Sequence, residues 1–248
     1  MTGPPDAEAV ATLAAARFRV LETIAAACRR TGRDPGDVQL VAVSKTVPVE
    51  RLVAGVAAGL TLLGENRVQE AESKVALVEG ASWHLVGPLQ SNKARRALEI
   101  FDAIETVDSL ELARRLDRLA GERPGGRRLE VYLQVNVDRD RAKAGFAPEQ
   151  LEAQLPDLER LPNLSLEGLM TVGRLVAGPE EARPTFAGLR ELSERLRARA
   201  SGLGLGLSMG MSDDYAVAVE EGATIVRVGR AIFGERPAAG RGGAGGER

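Results

Sequence analysis

Short apolar runs alternate with amphipathic stretches along almost the whole chain. Val10, Leu13, Ala14, Phe18, Leu21, Ile24 and Cys28 recur at helical spacing, and Thr31-Gly32-Arg33-Asp34-Pro35-Gly36 ends the helix they predict. Residues 38–44 then read as a buried strand, Pro48 opens a second helix that Gly59 closes, and residues 60–63 make a second strand. Six further strands are predicted at 82–86, 103–107, 129–137, 164–170, 205–209 and 224–228. Helices begin near Ser91 and Ser109, and Phe186, Leu189, Leu192 and Leu196 mark the buried stripe of a later one.

Eight strands joined by helical crossovers require a parallel sheet. At 248 residues the economical solution is a closed (β/α)8 TIM barrel, here with an extra N-terminal helix. An open doubly wound sheet is the competitor, but no Gly-x-Gly-x-x-Gly turn follows the first strand. Pro124-Gly125-Gly126 and Gly178-Pro179 fit turns inside the repeating pattern rather than linkers. One domain over residues 1–237 is therefore expected, followed by a Gly-rich, disordered tail over 238–248.

The formal net charge of -2 supplies no field for nucleic acid, and Lys93-Ala94-Arg95-Arg96 reads as a solvated helix face. His84 is the only histidine and Cys28 the only cysteine, which argues against a zinc site and excludes an internal disulfide. Cys28 itself reads as a buried helical thiol. No apolar run approaches a membrane span, and the N-terminus lacks a basic start before a hydrophobic segment. A cytoplasmic protein is expected.

In such a barrel the chemistry sits where strands run into the following helices. That rule gathers Lys45, Asn66, the stretch from His84 to Gln90, Asn136, Met170, Ser208, Ser212 and Gly229 at one rim. Small residues after the last two strands offer backbone N–H groups to a phosphate, and Asp213 is placed to cap the short helix that follows. Lys45 ends a strongly apolar strand, where partial desolvation favours the neutral amine nucleophile. A lysine beside a phosphate cradle suggests a phosphorylated aldehyde held as a Schiff base. Lys143 is the rival lysine, but its loop is highly charged and reads as exposed. His84 reads as a structural imidazole with no catalytic role, and Met170, Met209 and Met211 as core fillers whose thioethers can also pack on a flat ring.

Six segments together resemble the YggS/PROSC family of pyridoxal 5'-phosphate homeostasis proteins. They are Val41-Ala42-Val43-Ser44-Lys45-Thr46, Gly64-Glu65-Asn66-Arg67-Val68-Gln69-Glu70, the stretch from Trp83 to Lys93, Gly168-Leu169-Met170, the stretch from Ser208 to Asp214, and Val226-Arg227-Val228-Gly229. The resemblance implies a barrel like the N-terminal domain of alanine racemase, with pyridoxal 5'-phosphate as cofactor and Lys45 as its aldimine lysine. It further implies that Ser208, Ser212, Gly229 and Arg230 hold the phosphate, that Asn66 and Met170 lie near the cofactor, and that Arg227 faces the pyridine nitrogen. Many relatives carry a threonine where this chain has Arg230, so there the backbone amide serves.

A guanidinium can only donate, so the pyridine nitrogen stays unprotonated and the ring is a weak electron sink. In alanine racemases the second acid/base for racemisation is a tyrosine from a further β domain of a partner chain, and Tyr132 and Tyr215 here read as structural. The expected function is binding, buffering and delivery of pyridoxal 5'-phosphate by a monomer. Apo-enzymes that use the cofactor are the expected partners. The alternatives are a weak amino-acid racemase and a Schiff-base aldolase acting on a sugar phosphate.

Overall fold

A computed structural model describes residues 5–173 and 176–234. Eight parallel strands close on themselves in chain order: β1 (Gln39–Val43), β2 (Leu62–Glu65), β3 (Ser82–Leu85), β4 (Ala103–Val107), β5 (Leu129–Gln134), β6 (Leu164–Met170), β7 (Leu203–Ser208) and β8 (Ile225–Val228). The surrounding helices are α1 (Ala7–Thr31), α2 (Val49–Ala57), α3 (Val68–Val75), α4 (Ala94–Ile100), α5 (Leu110–Gly121), α6 (Pro148–Glu159), α7 (Arg183–Arg197), α8 (Tyr215–Glu220) and α9 (Arg230–Phe233). The expected barrel and its extra helix are both present. The expected tail over 238–248 lies outside the described residues.

Alternation divides β1, β5, β6 and β8 between two cores. Val41, Tyr132, Met170 and Ile225 come from β1, β5, β6 and β8 and form one buried cluster. Side chains from strands that far apart in the ring can meet only inside it. Ala42, Leu133, Leu169 and Val226 alternate with them and join the larger core between strands and helices.

The closing pair, β1 with β8, is registered by Gln39 with Ile225 and by Ala42 with Val228. Helix α1 lies along this seam against α2, α8 and α9. Arg33 at its end donates to the carbonyls of Val219 (2.6 Å) and Ala223 (2.9 Å). Asp6 caps its start, Gly32 ends it at φ 69°, and Cys28 is buried in it as expected.

Two of the predicted positions on α1 are corrected. Phe18 is 64% exposed and Ala14 is exposed, because the buried stripe runs through Leu13, Ala16, Val20, Ile24 and Ala27. At about 100° per residue, position 14 sits about 120° from the middle of that stripe and position 18 about 160°, nearly opposite it. Strand β2 lies two residues later than the apolar run suggested. Strand β5 stops at Gln134, after which only a single bridge from Val135 to Phe146 continues the pairing.

Gly210, just past β7, has φ +91°, and a Cβ there would lie 2.5 Å from Ala218 Cβ and 2.9 Å from Tyr215 Cα. Gly210→Ala should therefore destabilise the fold by about 2 kcal/mol or more. Urea unfolding would read this as a lowered midpoint at unchanged slope, and an unchanged midpoint would contradict it.

Candidate ligand site at the barrel mouth

Lys45 stands two residues beyond β1 and continues the inward set of Val41 and Val43. It lines a cleft of about 310 Å³ together with Arg51 of α2 and Gly229, Arg230 and Phe233 at the end of β8. Three cationic side chains and no carboxylate line this cleft, so it selects for an anion. Arg51, which pattern reading did not single out, is fixed there by donating to the Phe233 carbonyl at 3.2 Å.

The Gly229 N–H donates to Ser212 Oγ at 3.3 Å. This bond uses a lone pair of Ser212 and leaves its O–H proton for an acceptor in the cleft. A Cβ on Gly229 would stand 3.3 Å from the Val43 carbonyl, so glycine keeps β8 close to β1 here. Arg230 pairs with Asp213 at the rim. Asp213 thus binds Arg230 instead of capping α8, whose N-cap position is Asp214. The Asp214 carboxylate folds the preceding turn by accepting the Met211 N–H at 2.6 Å.

Deeper in the barrel, Arg227 is almost fully buried. Its Nη1 donates to Ser208 Oγ (2.6 Å) and its Nη2 to the Thr171 carbonyl (2.7 Å). The Ser208 hydroxyl donates to Glu105 Oε2 at 2.5 Å, and the other oxygen of Glu105 meets His84 Nδ1 at 2.7 Å. Burial pushes the Arg227 guanidinium down from its ordinary value, opposed by the charges of Glu105 and Asp214. For Glu105 burial works toward protonation. The His84 hydrogen bond and charge, Arg227 and Ser208 outweigh it and hold the carboxyl below its ordinary range.

The expected residues therefore fall into two groups. Lys45, Gly229 and Arg230 line one cleft, and Ser212 adjoins it through Gly229. Ser208, Arg227 and Met170 lie in the barrel interior, where the Ser208 hydroxyl already donates to Glu105. Asn66 follows β2, and its backbone is crossed so closely by the end of β3 that a Cβ on Gly87 would come within 2.3 Å of its carbonyl oxygen. Lys143 is half-buried rather than exposed, because its Nζ donates to the carbonyls of Val172 (3.2 Å) and Gly173 (2.7 Å). Tyr132 is buried in the barrel interior, where burial first and the charges of Glu105, Glu167 and Glu130 next raise its phenol well above the ordinary value.

Glu105 carried no local motif. Its only signal was a carboxylate inside an apolar strand, a placement that needs a buried partner. Among the described residues no helix is long and apolar enough to cross a membrane, and no group of three metal-ligating side chains converges.

A closed barrel of eight parallel strands alternating with helices is the fold of the alanine racemase N-terminal domain. The family model of that description matches residues 20–237. The chain belongs to this family and, within it, to the pyridoxal phosphate homeostasis proteins. It is 44% identical to the pyridoxal phosphate homeostasis protein of Pseudomonas aeruginosa over 92% of this chain and 97% of that one. The Escherichia coli protein of the same name is 38% identical over 88% and 94%. The structure of PipY from Synechococcus elongatus with pyridoxal 5'-phosphate bound superposes with a TM-score of 0.77 at 44% identity, covering 87% of this chain and all (100%) of that one. An alanine racemase from Clostridium difficile shares the fold at 18% identity and a TM-score of 0.67, and this chain covers 56% of it.

A carboxyl whose folded value lies below its ordinary 4.5 contributes stability above that pH and loses it as pH falls through the folded value. Glu105→Gln leaves Arg227 buried without its counter-charge and should cost about 3 kcal/mol at pH 7. The gap to the unsubstituted protein should close as pH falls below 4.5. Denaturant titrations across pH would check this, and a gap that stays constant into acid would contradict it.

Proposed function

We propose that this protein binds pyridoxal 5'-phosphate reversibly through Lys45 and acts as an intracellular carrier of it, without committed turnover of amino acids. The observation that carries the reading is the cleft that joins an amine, Lys45, to two further cationic side chains and no carboxylate beside the Gly229–Ser212 turn. A phosphorylated aldehyde fits this donor set, since it offers an anion to one end and an electrophilic carbon to the other. When such a molecule is bound, its aldehyde carbon condenses with the Lys45 amine, the new C=N bond replacing C=O as one water leaves with both amine hydrogens.

The protein's own groups supply position and charge. Ser212 would donate a hydrogen bond to the phosphate, the backbone of Gly229 and Arg230 would help hold it, and Arg230 and Arg51 would add charge. Ser208 can join them only by giving up its bond to Glu105. Asn66 and Met170 would lie near the ring, and Arg227 would be the donor for the pyridine nitrogen. The Ser208–Glu105–His84 chain holds Arg227 in place.

The names of the relatives support a homeostatic role rather than an enzymatic one. A racemase would need a second acid/base opposite Lys45. The Tyr132 phenol, buried and raised in pKa, is poorly suited to that part. Cytoplasmic location and delivery to apo-enzymes complete the proposal.

Hydride reduction of protein loaded with pyridoxal 5'-phosphate should leave a pyridoxyl group on Lys45, read by peptide mass spectrometry. An adduct confined to Lys143 would contradict the site. Ser212→Ala should weaken pyridoxal 5'-phosphate binding about tenfold and leave unphosphorylated pyridoxal unaffected. Equal loss of both ligands would displace the phosphate from this turn. Incubation with L- or D-amino acids, followed by chiral chromatography, should show turnover well below about 1 per second. Faster turnover that is lost in Lys45→Ala would make the protein an enzyme.

A further inference from the structure

The Lys45 backbone is held from outside the barrel by a buried charge cluster on α3. Lys74 of α3 keeps 7% of its side-chain surface exposed. Its ammonium donates to the Ser44 carbonyl (2.9 Å), to Glu65 Oε1 (2.6 Å) and to Glu70 Oε1 (2.7 Å). Glu70 Oε1 in turn accepts the Thr46 N–H at 2.5 Å. Ser44 Oγ donates to Glu65 Oε1 at 2.9 Å, and Asn66 N–H to the other Glu65 oxygen at 3.2 Å.

The Ser44 carbonyl belongs to the peptide group before Lys45, and the Thr46 N–H to the peptide group after it. Both planes that meet at the Lys45 Cα are therefore gripped by a single cluster. Thr46 is held at φ 63°, a conformation that costs a non-glycine residue about 1 kcal/mol or more unless its surroundings enforce it. A buried ion cluster is weak evidence for stability in itself, because desolvation offsets much of its attraction. Here it meets a need that an apolar side chain would leave unmet, since the Thr46 N–H of a strained turn donates to Glu70, and the Ser44 carbonyl, which also accepts the Val47 N–H at 3.0 Å, takes its second hydrogen bond from Lys74.

We propose that Glu70 and Lys74 are positioning residues for Lys45. They fix φ and ψ at its Cα and so aim its amine into the cleft. The inference rests on the reading of Lys45 as the aldehyde-binding residue. Neither Glu70 nor Lys74 lines that cleft, and the bonds they make to the Ser44 carbonyl and the Thr46 N–H act on the backbone that carries Lys45.

The test compares the unsubstituted protein with Glu70→Ala and Glu70→Gln, all as full-length apo-protein. One measurement is the rate at which pyridoxal 5'-phosphate forms a hydride-trappable adduct on Lys45. Another is the affinity for 4-deoxypyridoxine 5'-phosphate, which keeps the ring and phosphate but has no aldehyde. Hydrogen exchange at the Thr46 amide reports the clamp itself with no ligand present.

Glu70→Ala should slow adduct formation about tenfold and speed Thr46 exchange, while affinity for the deoxy analogue stays within about twofold. Glu70→Gln keeps an oxygen for the Thr46 N–H and should restore most of the rate. If the alanine variant does not fold, Glu70→Asp, one methylene shorter, should show the same loss. An unchanged rate in Glu70→Ala, or equal loss of both ligands, overturns the inference alone. Failure of the unsubstituted protein to form any adduct overturns the functional reading and the inference with it.

Discussion

The site depends on the register with which β8 closes onto β1. Pairing Ala42 with Val228 brings the residues that follow, Val43 and Gly229, to the same height at the barrel mouth. Only this closure makes neighbours of Lys45 and Arg230, which lie far apart in sequence and meet across one cleft. Helix α1 bears on the same constraint. It packs across the seam where β8 meets β1, and Arg33 ties its end to the backbone around α8. An element outside the eightfold repeat thus secures the one strand pair that no short connection supports.

Charge is distributed along the barrel axis in two different ways. In the interior, Arg227 is matched by Glu105, and the hydroxyl and imidazole between and beside them leave neither ion without hydrogen bonds. At the mouth, cations line the cleft without a carboxylate among the lining residues, although Asp213 meets Arg230 at the rim. A compensated interior is a rigid support, whereas a cleft whose charged lining residues are all cationic attracts an anion. Two carboxylates on the single ammonium of Lys74 show a third arrangement. Burial raises Glu65 despite Lys74. Glu70, where burial also opposes ionisation, ends below its ordinary range through Lys74 and the Thr46 N–H. Glu70 is thus the more fully ionised partner of Lys74, and it is also the one that holds the turn.

The barrel was legible because eight apolar runs each had the length of a buried strand and helical patterns separated them. Boundaries were less so. Leu60 and Thr61 continue the apolar reading of β2 but precede it, and the strand ends in Glu65, whose burial is possible only because Lys74 and Ser44 meet it. Phe18 misled because an apolar residue was counted into the stripe although its angular position puts it on nearly the opposite face of α1. Lys45 and the cradle could be read from strand ends, a local rule. Glu105, His84 and the α3 cluster could not be assigned partners in this way, because their meaning lies in long-range pairs such as Ser208 with Glu105. Asp213 and Asp214 are adjacent and chemically alike, and only the turn's geometry assigns one to Arg230 and the other to Met211.

The central claim is that Lys45 and the turn around Gly229 hold the two ends of one ligand. A crystal structure of the protein grown with pyridoxal 5'-phosphate tests it most directly. The account predicts continuous electron density from Lys45 Nζ to the ligand's aldehyde carbon, with the phosphate against Ser212 Oγ and the Gly229 backbone. Density joined to Lys143 instead, or a phosphate seated away from the β7 and β8 ends, would contradict it.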